Sequence, residues 1–346
     1  MVAMSLELEV ILAAHQTLLR ERLHTCLSTL HPLLRTDVVF ALQQPGKLLY
    51  SVEQVQATLS SYPPAGSWAL LTFLSALCVQ PTLSLEAVSS VAVALECFIC
   101  ALDLLDDVED EEQTALLQVL GVPRTVNAAT ALLACSQQLL LAVEHAGIEP
   151  ARVLTLQGLF QTALLRATGG QHRDLLAEQR SVTELTLEEC IEIATEKAGS
   201  LMALACLAGA VLAQADEQSQ SLFAELGTLL GIAHQLDNDS HDLYAILQAS
   251  AVYGPSGILK REGQEGSFAP SGKTDLRRGK KTLPVILAAR ELKEPVPALE
   301  RSALQQGIVA TWGISLLYRE RAGECLHKIE ALHPIPPLLR SLLRLS

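Results

Sequence analysis

Apolar residues recur at spacings of three and four along almost the whole chain, and Leu and Ala dominate these positions. Runs in which apolar and polar residues alternate with a period of two are hard to find. The first pattern is typical of helices that bury one face, and the second would be typical of strands. Between clusters of turn residues the helical stretches are mostly about ten to twenty residues long. The pattern therefore predicts an all-α fold of about a dozen helices.

Clusters of Gly, Pro and small polar residues mark the breaks between the predicted helices. They are QPGK (44–47), SYPPAGS (61–67), GVPRT (121–125), HAGIEP (145–150), ATGGQ (167–171), the long stretch 253–273 and PIPP (334–337). None has the length and polarity of an interdomain linker, and no segment repeats at a fixed period. We therefore expect one domain over residues 1–346.

One uncharged segment, residues 198–215, is long enough to be a marginal membrane span. It is rich in Ala and Gly, and Lys197 and Asp216 bound it. A helix that is apolar all round is also typical of the centre of a large domain. We favour the buried helix and expect no membrane span.

The net charge of −13 and the pI near 5.2 argue against nucleic acid or an anionic membrane as the main partner. An anionic substrate would therefore need a local cation. The eight cysteines lie in apolar helical contexts, which is typical of a cytosolic protein. Cys97 and Cys100 form a CxxC pair without a second pair, so a zinc site is disfavoured. The first 25 residues resemble an ordinary helix rather than a cleavable signal, and we expect a cytoplasmic protein.

The segment DLLDDVED, residues 103–110, places acids after a long apolar run. On a helix, Asp103, Asp107 and Asp110 share one face, and Asp106 lies beside them. Acids are unfavourable at the C-terminal end of a helix dipole. The segment is either a solvated helix end or a binding site for a cation.

A second acidic segment, QLDNDSHD, repeats this geometry. Gln235, Asp239 and Asp242 lie at i, i+4 and i+7, and Asn238 lies four residues before Asp242. Two such faces across a cleft would offer oxygen ligands to Mg²⁺, which completes its octahedron with phosphate oxygens. Lys197 and the basic run 273–281 could contact the rest of a phosphate group. Alone, such a run more often forms a solvated loop.

Together these segments resemble the trans-isoprenyl diphosphate synthase, or polyprenyl synthetase, family. The matching motifs occur in the family's order over roughly residues 65–290. They are Glu96, DDVED (106–110), GQHRDL (170–175), the Lys197 helix EKAGSL, QLDNDSHD and GKKTLP (279–284). The resemblance implies an isoprenoid synthase fold, in which helices surround a deep central cavity, and a homodimer.

The resemblance also implies roles for individual residues around an allylic isoprenyl diphosphate substrate and three Mg²⁺ ions. The metal ligands would be Asp106, Asp110, Asn238, Asp239 and Asp242. The residues that bind the substrate diphosphate would be Gln171, Lys197, Gln235, Lys273 and Lys280. The catalytic residues would be Asp106, Asp107, Asp110, Lys197, Asp239 and Asp242.

The chain departs from the family's chain elongators where they bind isopentenyl diphosphate. The stretch PPAGSWALLTFL contains neither the Lys nor the Arg of their Gly-Lys-x-x-Arg-Pro segment. After the first acidic motif no cation follows until Arg124. Only Arg124, Arg166 and Arg173 are left as candidates to compensate. The second motif also begins with Asn238 where Asp is usual.

Three functions remain open. The first is Mg²⁺-dependent ionisation of an allylic diphosphate, followed by cyclisation or quenching, as in terpene synthases, or by transfer to a non-standard acceptor. The second is elongation with isopentenyl diphosphate, as in a polyprenyl diphosphate synthase. The third is a non-catalytic subunit of a prenyltransferase, which the intact metal motifs disfavour. Ala101 and Leu102 place no aromatic ring before the first motif, so the substrate length stays open.

Overall fold

The computed structural model describes residues 2–44, 47, 68–253, 280–292 and 301–336 of the 346-residue chain. In these ranges all regular structure is helical and no strand is present, so the all-α prediction is confirmed. The helices are α1 (Val2–Ser28), α2 (Pro32–Leu42), α3 (Trp68–Val79), α4 (Leu85–Glu109), α5 (Ala115–Ala142), α6 (Pro150–Glu178), α7 (Leu187–Ala194), α8 (Ser200–Leu212), α9 (Glu217–Tyr253), α10 (Leu283–Leu292) and α11 (Arg301–Glu330).

The apolar helix α8 lies at the centre of the fold and packs against both α3 and α9. Thr72 Oγ1 on α3 donates a hydrogen bond of 2.9 Å to the carbonyl oxygen of Ala205 on α8. The two helices approach so closely that a Cβ at Gly209 would lie 2.2 Å from the carbonyl oxygen of Thr72. The predicted burial of this segment is therefore confirmed.

Three helical segments are long and apolar enough to cross a membrane: Leu85–Glu109, Ala115–Ala146 and Leu187–Leu212. In the first, 83% of the most apolar window is buried inside the protein, and in the third 67% is buried. Most of the apolar side chains of these two segments therefore pack in the protein core. In the second, only 50% is buried, so one side of α5 exposes apolar residues.

Two of the predicted breaks contain a glycine with positive φ, and both are confirmed. Gly121, with φ 69°, kinks α5 shortly before Pro123, and Gly147, with φ 85°, ends a short 3₁₀ helix before Pro150 opens α6. The break predicted at ATGGQ is wrong, because α6 continues through it. Gly170 is needed there for packing, since a Cβ would lie 2.8 Å from the Cβ of Glu196. The breaks 61–67 and 253–273, apart from Tyr253, lie outside the described residues.

The close approach of α3 and α8 generates a stability prediction. Gly209→Ala should lower the free energy of unfolding by about 1–3 kcal/mol, because the added methyl group meets backbone atoms and forces the helices apart. The matched control is Gly158→Ala on α6, where no atom lies within 4 Å of the added Cβ. This control should be neutral or stabilising by up to about 1 kcal/mol. Urea unfolding measures both, and equal effects would contradict the packing account.

Candidate active site

The first acidic motif lies in the last two turns of α4, as the sequence analysis expected. The helix ends at Glu109, and Asp110 caps it by donating its backbone N–H to the carbonyl oxygen of Asp106 over 2.8 Å. The last turn of α4 contains no basic residue. The acids therefore face the negative end of the helix dipole, and cations must come from other segments.

Two lysines from distant segments supply these cations. Lys280 Nζ lies 2.7 Å from Asp110 Oδ2 and 3.7 Å from Asp174 Oδ2. Lys197 Nζ lies 2.9 Å from Asp174 Oδ2 and 3.3 Å from Asp106 Oδ1. Asp174 on α6 thus joins both lysines. We call these three aspartates and two lysines the charge cluster.

Most side chains of the charge cluster are buried, so an unpaired charge among them would cost much free energy. Only small fractions of three of these side chains are exposed: 13% of Lys197, 11% of Lys280 and 6% of Asp110. The Asp106 side chain is 42% exposed; desolvation still raises its pKa, and the Lys197 ammonium opposes this rise. Burial alone would also raise the pKa of Asp110, but the Lys280 ammonium holds it below its usual value. A buried carboxylate without its ammonium partner would be strongly unfavourable.

Lys197 reaches the charge cluster from an irregular turn. Residues Thr195–Gly199 form one π-helical turn between α7 and α8, a feature that often occurs at functional sites. A Cβ at Gly170 would lie 2.9 Å from the backbone nitrogen of Lys197. This contact brings the turn against α6, which also contributes Asp174.

The second acidic motif lies within α9 rather than at its end. Gln235 Nε2 donates to Asp239 Oδ1 over 2.9 Å, so the two residues share the predicted face. Both line a cleft together with Lys197, Lys280 and Asp174. The structure therefore brings the two lysines and part of the second motif to one cleft.

Other predicted residues lie further from this cleft. Asn238 is exposed, and its Nδ2 lies 3.2 Å from the Nε2 of His234. Asp107 and Asp242 are half-buried on α4 and α9, and neither lines the cleft. Lys273 lies outside the described residues.

Gln171 connects α6 to the first motif. Its Nε2 donates to Asp110 Oδ1 over 3.1 Å, and its buried Oε1 has no hydrogen-bond partner in the described part of the chain. No group of three or more His, Cys, Asp or Glu side chains within that part is arranged to hold a metal ion. The donors at the cleft are carboxylate and amide oxygens, which are the ligands that Mg²⁺ prefers. The chemistry of these cleft donors fits a hydrated Mg²⁺ ion.

Lys47 is a site residue that the sequence analysis missed. It forms an ion pair with Asp103 on α4. Asp103 lies seven residues after the buried Glu96, whose Oε1 accepts the backbone N–H of Ala69 over 2.8 Å. The QPGK segment was assigned only as a turn.

The proposed compensating arginines are engaged elsewhere. Arg124 pairs with Asp37 of α2 through an Nε–Oδ2 contact of 2.9 Å. Arg173 contacts Glu192 and Glu196 over 2.7 and 3.0 Å. These two candidates are therefore paired with other carboxylates, and Lys47 is a cation that contacts α4 seven residues after Glu96.

Glu96 gives the fold a predicted pH dependence. Burial raises its pKa from 4.5 to about 7, although the Ala69 N–H and Lys47 oppose the rise. The folded state therefore binds this proton more tightly than the unfolded state, and stability should fall as pH rises from about 4.5 through about 7. Glu96→Gln keeps an acceptor for Ala69 and should remove this loss. Between pH 4.5 and pH 8 the free energy of unfolding of Glu96→Gln should rise, relative to that of the parent, by on the order of 2–3 kcal/mol.

Urea unfolding of the parent and the Glu96→Gln variant at several pH values measures this difference. The control is Glu144→Gln, which replaces an exposed acid and should follow the parent at every pH. Parallel pH profiles for the parent and Glu96→Gln would contradict the assignment.

Comparison with known proteins identifies the family of the chain. The profile of the family described as polyprenyl synthetase matches residues 67–251, more than half of the chain. Tryptophan prenyltransferase ComQ of Bacillus spizizenii is 33% identical over 155 residues, which are 44% of this chain and 50% of that protein. Geranylgeranyl diphosphate synthase of Mycobacterium tuberculosis is 30% identical over 141 residues, which are 41% of this chain and 34% of that protein. The matched segments thus span about half, or less, of these relatives' lengths.

The fold is shared over almost the whole chain. The solved geranylgeranyl pyrophosphate synthetase of the archaeon Geoglobus acetivorans superposes with a TM-score of 0.70. The match covers 97% of this chain and 96% of that one at 21% sequence identity, so it shows the fold alone. With the family profile and the ordered motifs, these matches establish that the chain belongs to the polyprenyl synthetase family.

Proposed function

We propose that this protein is a Mg²⁺-dependent prenyltransferase that transfers the prenyl group of an allylic isoprenyl diphosphate to an acceptor other than isopentenyl diphosphate. The observation that carries the proposal is the charge cluster, in which two nearly buried lysines contact three aspartates beside a cleft. In such a cluster the lysines can bind a diphosphate and the aspartates can bind its counter-ions, in place of the ion pairs between them.

The residues of the cluster would act by binding and orienting the diphosphate. Lys197 and Lys280 would turn from the aspartates to phosphate oxygens, which form strong charge-assisted hydrogen bonds. The allylic C–O bond then breaks, and its electron pair leaves with the diphosphate. A π-electron pair of the acceptor forms the new bond to the allylic carbon, and the acceptor's proton passes to the departing diphosphate.

The carboxylates would hold the metal. Asp106 and Asp110 would bind it from α4, with Asp107 beside them, and Asp239 and Asp242 from α9 together with Asn238. Bound Mg²⁺ would neutralise the diphosphate and make it a better leaving group. We propose three ions, as the resemblance implies.

The choice of acceptor is supported by the shortage of cations for a second diphosphate. Arg124 and Arg173 are engaged by carboxylates, and Lys47 is paired with Asp103. Each missing charge-assisted contact should weaken binding by about 1.5–3 kcal/mol. A relative bears the name tryptophan prenyltransferase, which supports an aromatic acceptor.

Elongation with isopentenyl diphosphate is the second candidate. Lys47 favours it, because one cation does contact Asp103 beside the first motif. Relatives named geranylgeranyl diphosphate synthase favour it too. Because the named relatives are prenyl-transferring or chain-elongating enzymes, we propose transfer in preference to cyclisation.

The direct test offers C10, C15 and C20 allylic diphosphates with Mg²⁺, each with isopentenyl diphosphate, with N-acetyltryptophanamide or with no acceptor. We expect diphosphate release in every case for at least one chain length. We also expect a prenylated indole product, and elongation at least about 100-fold less efficient in kcat/KM, since about 3 kcal/mol of binding is missing. Efficient elongation at micromolar isopentenyl diphosphate would favour the second candidate.

Asp106→Asn supplies the matched loss-of-function variant for this test. It removes one carboxylate charge without changing the side-chain shape, and it should reduce diphosphate release by at least about 100-fold. Glu111→Gln, an exposed residue just beyond the motif, should retain activity. Equal activity of the two variants, or activity in EDTA, would contradict the metal-dependent mechanism.

We also propose a cytoplasmic homodimer that forms through an exposed stripe on α6. Leu154, Leu165 and Leu176 are 67%, 75% and 47% exposed. They follow one another at intervals of eleven residues, which is three helical turns, so they lie on one face. Sedimentation equilibrium should give twice the 37.2 kDa chain mass, and Leu165→Glu should shift the protein to monomer. A monomeric parent protein would refute the dimer.

A further inference from the structure

The second acidic segment contains one carboxylate that lies on the side of α9 away from the cleft. Gln235, Leu236 and Asp239 of this helix line the cleft. With 3.6 residues per turn, Asp237 lies about 160° around the helix axis from both Gln235 and Asp239. The Asp237 side chain is nevertheless only 21% exposed, so a neighbouring element covers it.

That neighbour is α11, which supplies a cation to Asp237. Arg319 Nη2 donates a hydrogen bond to Asp237 Oδ2, and the Arg319 side chain is 14% exposed. One turn earlier on α9, the carbonyl oxygen of Ala233 accepts a hydrogen bond of 3.2 Å from Ser315 Oγ of α11. A mostly buried carboxylate is strongly unfavourable without its cation. The ion pair therefore favours the rotation of α9 that turns Asp237 toward α11.

The helix α11 also packs directly behind the cleft. Leu236 and Leu283 line the cleft and belong to one buried cluster, against which Tyr318 of α11 packs. At Gly307, α11 approaches the carbonyl oxygen of Pro284 so closely that a Cβ would not fit. The same helix thus contacts α9 and the segment that leads from the charge cluster into α10.

We infer that Arg319 is a positioning residue for the second acidic motif. Its ion pair with Asp237 fixes the rotation of α9, and that rotation turns Gln235 and Asp239 into the cleft. The inference rests on the proposed function, in which Asp239 binds metal. Groups that orient metal ligands without touching the metal typically change metal affinity by about 10–100-fold when they are removed.

The direction of the effect separates positioning from the effect of charge alone. Arg319 holds a positive charge beside the helix that carries Asp239. Removal of that charge would by itself raise the affinity for Mg²⁺, because cations repel one another. Loss of the ion pair should instead lower the affinity, because Asp239 would no longer be held toward the cleft.

The experiment measures binding rather than turnover. Inorganic diphosphate is titrated calorimetrically into the intact protein at a series of Mg²⁺ concentrations, and circular dichroism verifies that each variant is folded. Arg319→Met removes the cation and keeps a long side chain, whereas Arg319→Lys keeps the cation. The matched control is Arg321→Met, which replaces an exposed arginine two residues further along α11.

Arg319→Met should raise the Mg²⁺ concentration for half-maximal diphosphate binding about tenfold, while the diphosphate Kd at saturating Mg²⁺ stays within about twofold. Arg319→Lys should restore most of the Mg²⁺ affinity, because it returns a cation to Asp237. Arg321→Met should match the parent. Arg319→Gln also removes the cation, and water can solvate its amide. It should give the same rise and provides the test if Arg319→Met does not fold.

Different outcomes separate this inference from the proposed function. An unchanged or lower Mg²⁺ requirement in the folded Arg319→Met or Arg319→Gln variant would overturn the positioning role. An equally large loss of diphosphate affinity at saturating Mg²⁺ would also overturn it, because general damage to the cleft weakens both. A parent protein without Mg²⁺-dependent diphosphate binding would instead refute the proposed function.

Discussion

The ion pairs between buried lysines and the aspartates of the first motif are the interaction on which the rest of this structure depends. Asp110 is almost fully buried at the negative end of α4, where a carboxylate without a partner would be strongly destabilising. Lys280 and Lys197 meet that requirement, and Asp174 holds the two lysines together. Four chain segments meet at this cluster, and each contributes a charged side chain that forms an ion pair with a side chain of another segment.

The same charges explain how one site could serve both folding and ligand binding. In the absence of ligand the lysines neutralise the aspartates. A metal–diphosphate complex carries both signs of charge, so it can take over both halves of each ion pair. The close contact of Gly170 with the π turn fixes Lys197 near Asp106 and Asp174, so the lysine need not be ordered when ligand arrives. Preorganisation of this kind lowers the cost of binding.

Local sequence patterns predicted the helices and the position of the first motif at a helix end, because both depend on residues a few positions apart. The face shared by Gln235 and Asp239 followed from helical periodicity and is confirmed by their hydrogen bond. Local patterns could not predict partners distant in sequence. The pairing of Lys47 with Asp103 spans 56 positions. Gly170 was assigned to a break, because a glycine that permits close helix packing cannot be distinguished locally from one that ends a helix.

The central claim is that the cleft binds diphosphate and divalent metal together, because each neutralises the charges that the other leaves exposed. Isothermal titration of inorganic diphosphate into the intact protein, with Mg²⁺ and with EDTA, tests this claim without turnover. The account predicts an affinity at least about tenfold higher with Mg²⁺. It also predicts that Lys280→Met weakens this Mg²⁺-dependent binding. Equal affinity with Mg²⁺ and with EDTA, or no binding in either, would contradict it.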